Sequence, residues 1–364
     1  MVATDARDAA HMARALALAE RGRGRTAPNP IVGAVVVSPD GVVVGQGAHL
    51  EAGGPHAEIH AIDAAADRAR GATMYVTLEP CSHTGRTGPC VDRIVGAGIA
   101  RVVYATRDPN PRVAGAGAAF LESHGVAVAE GVGEAEARRQ NAPFFTWVTA
   151  HRTFVTLKMA VSRDGFVGTA GRRVRLTGET ADAWLHRQRA EVDAIVVGAE
   201  TVLADDPRLT PRGAYRYRPL ARVIVDWRAR VSERAALFTT LAAGPVIMIV
   251  SAADAARHAS RIDAWRRAGA EVERADRHDL PALARRLADR GVVSTLLEGG
   301  PTLAAAFAAA GLIDRVQWVV TRAELGDGVP ALTGALSSVV LMRPPRTVPL
   351  GDDVLLEFDV HRPD

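Results

Sequence analysis

The chain has 364 residues, 48% of them hydrophobic, and its 44 basic and 41 acidic residues give a net charge of +3. This length is about twice that of a usual single domain, so two hydrophobic cores are expected. No apolar run approaches the ~20 residues of a membrane span, no signal peptide is recognised, and no basic block is long enough to indicate nucleic-acid binding. With two cysteines, the composition fits a reducing, cytoplasmic environment.

Helices and strands alternate in the first part of the chain, which predicts an α/β sheet covered by helices. The pattern predicts a helix at 9–21, strands at 31–38 and 42–48, a helix at 57–70, a strand at 74–78, a helix at 91–97, a strand at 101–105 and a connecting helix at 135–148. A first domain over residues 1–150 and a second over residues 151–364 are therefore expected.

The most informative motif combines His56, Glu58, Cys81 and Cys90, and the two cysteines are the only ones in the chain. A catalytic zinc site needs three protein ligands and one open position for water, whose pKa the metal lowers to about 7. His56, Cys81 and Cys90 supply the ligands, and Glu58 remains as the catalytic acid and base. Zinc deaminases use the same arrangement, with the signature H-x-E followed by P-C-x-x-C. The motif therefore predicts hydrolytic deamination.

Two other interpretations of this motif are possible. Cys81 and Cys90 could form a disulfide, but then neither the H-A-E triplet nor the proline before Cys81 would have a reason. A metalloprotease would place two histidines at i and i+4 around a glutamate in the order H-E-x-x-H. His56 and His60 have the spacing without that order, so His60 is expected to be a packed helix residue.

The cysteine spacing narrows the class of deaminase. Eight residues, Ser82 to Pro89, separate the cysteines where the common signature has two, and the sequence S-H-T-G-R-T-G-P indicates a loop that contacts substrate. The whole segment 79–90 resembles the bifunctional deaminase–reductase family of riboflavin biosynthesis. The resemblance extends to residues 28–35, His49 and residues 108–115.

The resemblance implies a cytidine-deaminase-like fold for the first domain. It also implies a substrate, 2,5-diamino-6-(5-phosphoribosylamino)pyrimidin-4-one, that loses ammonia there. Asn29 and His49 are expected to hold the pyrimidine, and Arg86 its phosphate.

In the second domain, Lys158 stands at the end of a predicted strand, Phe154–Lys158. It is the one lysine in the chain, against 43 arginines. Such a bias predicts a site that needs a compact ammonium, which a planar guanidinium cannot replace. The alternative is chance survival of a lysine on a tolerant surface.

Two further segments of the second domain indicate ligand binding. A predicted strand at 293–297 leads through a turn at 298–302 into an alanine-rich helix ending near Ala310. Glycines between a strand and a helix let backbone N–H groups approach a phosphate, although an ordinary turn is the alternative. A polar loop at 205–212 follows the strand 194–198, and its Asp205 could instead be a cap or turn residue.

The second domain resembles the reductase half of the same family, which is similar to dihydrofolate reductase in fold and uses NADPH. The resemblance places the following residues at NADPH: Thr201, Asp205, Gly300, Pro301, Thr302, Leu303, Ala304, Ala305 and Ala306. It places Arg189, Leu209, Arg212 and Glu298 at the substrate, with Lys158 beside the group being reduced. Three positions depart from the family pattern, so no contact is assigned to them: residues 172–176, Arg163 and Trp227.

The predicted function is deamination by a zinc enzyme followed by NADPH-dependent reduction of the ribosyl group to ribityl phosphate. The expected partner is a small phosphorylated pyrimidine, and the protein is expected to be a homo-oligomer. One alternative is a nucleobase, nucleoside or tRNA deaminase with an unrelated C-terminal domain. Another is a regulatory protein with a structural zinc, which would require four protein ligands.

Overall fold

The computed structural model describes residues 6–82, 88–111, 113–169, 174–341 and 344–360. The chain divides into two compact units between His151 and Arg152. Among the described helices, none is both long enough and apolar enough to cross a membrane.

The first unit is built on a sheet that has five strands within its described residues, in the order β2-β1-β3-β4-β5. β1 is antiparallel to both β2 and β3, and β3, β4 and β5 are parallel. The strands are β1 (Gly33–Val37), β2 (Val43–Ala48), β3 (Thr73–Val76), β4 (Arg101–Tyr104) and β5 (Ala127–Glu130). The α-helices are α1 (Ala6–Ala19), α2 (Ala57–Ala65), α3 (Cys90–Gly96), α4 (Ala116–Ser123), α5 (Glu134–Gln140) and α6 (Ala142–Ala150).

Two glycines of β2 let helix α2 lie unusually close to the sheet. A Cβ atom at Gly45 would come within 2.1 Å of the Ala61 carbonyl oxygen, and one at Gly47 within 2.4 Å of the Ala57 carbonyl oxygen. Real Cβ atoms do not approach backbone so closely, so only glycine fits at these positions. The close packing fixes the first turn of α2, which carries Glu58, against the sheet.

Several predicted elements of the first unit have different bounds in the structure. The helix predicted at 57–70 is α-helical to Ala65, because Ala66 adopts a positive φ of 49° and a 3-10 turn follows. The helix predicted at 135–148 is divided at Asn141 into α5 and α6, and Pro143 occupies the first turn of α6, where its missing N–H is tolerated. Strand β3 was predicted to end at residue 78 but ends at Val76, and Cys81 lies in the loop that follows.

The second unit contains a sheet with nine strands in its described part, in the order β10-β9-β8-β7-β11-β6-β12-β14-β13. β14 is antiparallel to its neighbours β12 and β13, and the other neighbours are parallel. The strands are β6 (Phe154–Val161), β7 (Ala194–Gly198), β8 (Ala221–Val225), β9 (Val246–Ser251), β10 (Glu271–Ala275), β11 (Ser294–Leu297), β12 (Arg315–Val320), β13 (Arg346–Leu350) and β14 (Asp353–Asp359). The helices are α7 (Glu179–Glu191), α8 (Ala199–Asp205), α9 (Ala259–Arg267), α10 (Leu280–Asp289), α11 (Pro301–Ala309) and α12 (Ala335–Leu341).

The parallel strands at the centre of this sheet bring distant segments to one edge. β11 lies between β6 and β7, and Leu297 is in register with both Leu157 and Val196. Glu298, the residue after β11, therefore lies beside Lys158. Ligands of open α/β sheets bind at the carboxyl ends of such strands.

Candidate active sites of the two units

The three predicted metal ligands of the first unit converge. The ligand atoms of His56, Cys81 and Cys90 all lie within 4.8 Å of one another, and both cysteines are free thiols. The Nδ1 atom of His56 is 3.1 Å from the sulfur of Cys90 and 3.6 Å from the sulfur of Cys81. His56 precedes the first residue of α2, and Cys90 is the first residue of α3. One imidazole and two thiols form a donor set that fits zinc and leaves a fourth position open.

The pKa values of the two thiols shift in opposite directions. A hydrogen bond from Cys90, supported by His56, lowers the pKa of Cys81 to about 4, and the same pairing raises the pKa of Cys90. The backbone N–H of Cys90 also points at the sulfur of Cys81, at 3.4 Å. Since thiolates are the form that binds metal, Cys81 is prepared for ligation, and a bound cation would displace the remaining proton.

Glu58 lies in the first turn of α2 with only 4% of its surface exposed. Burial raises the pKa of this carboxyl group, and the negative charge of the Cys81 thiolate adds to the effect. It lines a pocket together with His56 and Cys81. His60, two residues later, packs its Cβ atom near Gly47.

His49 and Asn29 are joined by a hydrogen bond in the pocket that His56 and Cys81 also line. The Nδ1 atom of His49 lies 3.0 Å from the carbonyl oxygen of Pro55, so this nitrogen carries the proton. The Nε2 atom is then an acceptor, and the amide nitrogen of Asn29 donates to it at 3.1 Å. Burial lowers the pKa of His49, which keeps the ring neutral. Among the described atoms, no hydrogen bond engages the Asn29 amide oxygen, so it can accept one from a ligand.

The metal cluster opens into a pocket of about 420 Å³. Its lining includes Asn29, His49 and Glu58 with two aromatic side chains of helix α6, Phe144 and Trp147. A pocket with apolar walls and a few polar groups is typical of small-molecule sites. Arg86, predicted to bind a phosphate, lies outside the described residues.

In the second unit, Arg189 and Glu298 form a bidentate ion pair. The Arg189 Nε and Nη2 atoms donate to the two Glu298 oxygens at 2.7 and 2.6 Å, and the side chains are 13% and 10% exposed. Lys158 is half-buried next to them, and within the described chain no hydrogen bond or ion pair holds its ammonium group. Burial lowers the pKa of Lys158, while the charge of Glu298 opposes this shift. The ammonium is thus available to a ligand.

Arg189 also lines a cleft of about 1020 Å³ together with Asp205, Leu209 and Arg212. Leu209 is buried and has a positive φ of 55°, a strained conformation that the surrounding loop must hold in place. Four of the lining residues are arginines, namely Arg175, Arg189, Arg208 and Arg212. Three aspartates, Asp182, Asp205 and Asp206, line the cleft too, so the arginines provide donors for an anionic group within a lining of mixed charge.

His186 is a cleft residue that the sequence did not indicate. The backbone N–H of Arg212 lies 3.2 Å from its Nδ1 atom and the Arg212 Nε atom 3.1 Å from its Nε2 atom. A neutral imidazole has one acceptor nitrogen, so one of these contacts is a hydrogen bond and the other is not. Burial and the positive charges of Arg189 and Arg212 lower the pKa of His186.

The residues predicted to bind NADPH lie on two helices, α8 and α11. Thr201 is in the first turn of α8 and Asp205 is its exposed last residue. Gly300 caps α11 and faces open space, since no atom lies within 4 Å of a Cβ atom placed there. Thr302 is exposed beside it, whereas Ala304 is fully buried in the core. The remaining predicted positions are Pro301, which is buried, Leu303 and Ala305, which are half-buried, and Ala306, which is exposed. An open glycine at the start of a helix fits a phosphate group.

The sequence also missed Glu79, which is 3% exposed and lines the pocket of the first unit. Its position directly before Pro80 and Cys81 was the available signal. Asp108 and Asn110 line the same pocket. They belong to residues 108–115, a segment that resembles the family but to which the resemblance assigned no role.

Comparisons with known proteins agree in both halves of the chain. Residues 5–106 match the cytidine and deoxycytidylate deaminase zinc-binding region, and residues 153–356 match the RibD C-terminal domain. Riboflavin biosynthesis protein RibD of Aquifex aeolicus (strain VF5) is 37% identical over 355 residues, covering 96% of this chain and 98% of that protein. RibD of Escherichia coli (strain K12) is 38% identical over 344 residues, covering 89% and 90%.

Solved structures show the same relationship. A diaminohydroxyphosphoribosylaminopyrimidine deaminase/5-amino-6-(5-phosphoribosylamino)uracil reductase from Thermotoga maritima matches with a TM-score of 0.83 and 35% identity. RibD of Acinetobacter baumannii, form 1, matches with a TM-score of 0.82 and 32% identity, and each comparison covers 96% of this chain and 98% of the other. The predicted fold classes, activities and cofactors are confirmed. The chain belongs to the RibD family of riboflavin biosynthesis proteins and is a bifunctional enzyme, with a zinc-binding deaminase domain followed by an NADPH-dependent reductase domain.

Proposed function

We propose that residues 1–150 deaminate 2,5-diamino-6-(5-phosphoribosylamino)pyrimidin-4-one and that residues 151–364 reduce the ribosyl group of the product. The observation that carries the first assignment is the convergence of one imidazole and two thiols beside a buried carboxylate at the end of a small pocket. The division of the chain between His151 and Arg152 supports the boundary. The two family matches support the boundary as well, because the first ends at residue 106 and the second begins at residue 153.

His56, Cys81 and Cys90 would hold the zinc ion in the first site. Zinc bound in this way supplies Lewis acidity, which makes water reactive near neutral pH. The two sulfurs and the imidazole lie at the pocket, so a metal ion held by them would be accessible to a ring that enters it.

Glu58 would move the proton. It lines the pocket beside His56 and Cys81, and α2 is held against the sheet by the glycines of β2. Its carboxylate accepts a proton from the attacking water and returns it to the departing amino group, which leaves as ammonia. General acid–base groups of this kind contribute about 10²–10⁴-fold to the rate.

Asn29 and His49 would orient the pyrimidine. His49 uses both ring nitrogens, one toward Pro55 and one toward Asn29, so it fixes the amide of Asn29. The amide oxygen then accepts a hydrogen bond from an amino group of the ring. Phe144 and Trp147 provide apolar pocket walls that exclude bulk water, and Arg86 is proposed for the phosphate by family resemblance.

In the second site, the cleft would bind the phosphorylated product through Arg189 and Arg212, with Leu209 as an apolar wall. Lys158 and Glu298 lie where β6 and β11 meet and would contact the ribosyl group or the ring. NADPH supplies the hydride when bound. Thr201, Asp205 and the start of α11, from Gly300 to Ala306, would hold it, with the exposed Gly300 and Thr302 nearest to its phosphates.

A single preparation tests both assignments. The protein is incubated with the diaminopyrimidinone phosphate and zinc, and then with NADPH, while ammonia release and NADPH absorbance are followed separately. We expect ammonia without NADPH, and NADPH oxidation only after deamination or when deaminated substrate is supplied. Inhibition of ammonia release by free nucleosides, together with a lack of NADPH binding, would contradict the proposal.

We further propose that the protein acts in the cytoplasm on this small molecule, without nucleic acid or membrane, and as a homo-oligomer. The near balance of charges and the free thiols Cys81 and Cys90 support the first part. Sedimentation analysis tests the oligomeric state, and a monomer at micromolar concentration would contradict it.

A further inference from the structure

We propose that Glu79 is a positioning residue for deamination. Its buried carboxylate fixes the segment that forms one wall of the pocket, defined here as the pocket-wall segment (residues 108–111 and 113–118), against the loop that carries Cys81. The inference rests on the proposed function, which assigns this pocket to the pyrimidine.

The carboxylate of Glu79 accepts hydrogen bonds from four backbone N–H groups of the pocket-wall segment. The Oε1 atom accepts from Gly117 at 3.0 Å and from Ala118 at 3.2 Å. The Oε2 atom accepts from Gly115 at 3.0 Å and from Asp108 at 3.4 Å. Within the described chain no arginine or lysine forms an ion pair with Glu79, so backbone N–H groups balance its charge.

These contacts leave Glu79 no capacity for substrate. A carboxylate has about four acceptor positions, and all four are engaged although Glu79 lines the pocket. Two of the donors, Gly117 and Ala118, belong to the first turn of α4, where N–H groups have no partner within the helix. Glu79 therefore acts as a helix cap supplied from a distant part of the chain.

The same junction is unusually tight. A Cβ atom at Gly117 would come within 2.1 Å of the carbonyl oxygen of Pro80 and 3.3 Å of a Glu79 oxygen. The backbone N–H of Glu79 also donates a hydrogen bond to the carbonyl oxygen of Thr106, at 2.9 Å, and so holds the backbone of Glu79 in place. The loop that carries Cys81 and the pocket-wall segment are therefore held together by hydrogen bonds and close packing.

The pocket-wall segment contributes Asp108, Asn110 and Val113 to the pocket, and the loop contributes Cys81. A shift between the loop and the segment changes the distance from the pyrimidine contacts to the metal ligands. Small displacements of this kind weaken the productive binding of substrate without removing the metal. The expected signature is a raised KM with zinc retained.

The test compares Glu79→Gln with Glu130→Gln in the full-length protein. Glutamine replaces one acceptor oxygen by an NH₂ group that faces backbone N–H donors. Loss of one or two hydrogen bonds to a charged group predicts a rise in the deamination KM of about tenfold or more. The control Glu130 is a carboxylate of the same unit that pairs with the side chain of Arg107.

Gly117→Ala disturbs the same junction without touching the carboxylate, and Gly96→Ala is its control because a Cβ atom there meets nothing within 4 Å. We expect Gly117→Ala to raise KM as Glu79→Gln does, and both to speed amide hydrogen exchange in residues 113–118. Zinc content should stay at the wild-type value. Reduction of the deaminated substrate should also be unchanged.

An unchanged KM in zinc-loaded Glu79→Gln would overturn the inference. Loss of zinc from both variants would also overturn it, because Glu79 would then only support the metal loop. If Glu79→Gln yields no folded protein, Gly117→Ala decides by the same criteria. Failure of the wild-type protein to release ammonia would instead contradict the proposed function, and the hydrogen-exchange comparison would still test the junction.

Discussion

Replacement of Glu298 by glutamine should destabilise the second unit strongly. The carboxylate accepts two hydrogen bonds from Arg189, and both side chains are nearly buried. The variant removes a negative charge that lies beside two basic groups, Arg189 and Lys158. Removal of one partner of a buried ion pair lowers the free energy of unfolding by about 3–5 kcal/mol.

This loss of free energy of unfolding corresponds to a fall in the melting temperature, Tm. For domains of about 150–250 residues, 1 kcal/mol corresponds to about 2–4 °C, so the Tm should fall by about 6–20 °C. Glutamine keeps one acceptor for Arg189, which favours the lower part of this range. Reduction should be largely lost, while ammonia release below the melting transition should be unchanged.

The contribution of the Glu298 carboxylate to the free energy of unfolding of the wild-type protein depends on pH. Burial alone would raise the pKa of Glu298, but the charge and hydrogen bonds of Arg189, together with the nearby Lys158 and His186, outweigh it and the net shift is downward. A lowered pKa in the folded state gives stabilisation above the unfolded value, about 4.3, that is lost as the pH falls through the folded value. The Tm difference between wild type and Glu298→Gln should therefore be constant from pH 6 to pH 8.

Differential scanning calorimetry measures the effect, with Glu200→Gln as the matched control. Glu200 pairs with Arg230 at the surface, where its side chain is 80% exposed, and such pairs contribute about 0–1 kcal/mol. Equal Tm values for the two variants would refute the reasoning that burial makes the Arg189 pair strong.

Three further predictions concern the chemistry. Glu58→Gln should keep zinc and reduce deamination by about 10²-fold or more, since the ligands remain and the proton carrier is lost; wild-type ammonia release with zinc bound would exclude Glu58 from that role. Cys81→Ser should remove zinc, measured by metal analysis, and abolish deamination while NADPH-dependent reduction of deaminated substrate continues; loss of reduction in a folded variant would contradict independent sites. Lys158→Arg should strongly reduce reduction and leave deamination intact, because the planar guanidinium cannot occupy the place of a compact ammonium; near-normal reduction would show that the lysine is an accident of composition.

The sequence by itself determined the features that depend on residue type and on short-range pattern: the metal ligands, the α/β class and the number of domains. Few residue types bind zinc, so two cysteines and the H-x-E triplet were sufficient to predict the metal cluster of His56, Cys81 and Cys90. The alternation of helices and strands predicted an α/β protein, and length predicted two domains. Pro143 was a local signal that the helix predicted at 135–148 is divided. Periodicity could not show the distant contact at the break, where the Asn141 side chain bonds both backbone groups of Ile31.

Only the tertiary structure decided which distant groups share a site. Glu298 lies beside Lys158 because β11 is inserted between β6 and β7, an order that no local pattern encodes. Glu79 finds its four donors 29 to 39 residues away, and His186 meets Arg212 across 26. These partners are selected by packing and by the need to satisfy buried polar groups. Such requirements act through space, so the sequence around each residue carries little sign of them.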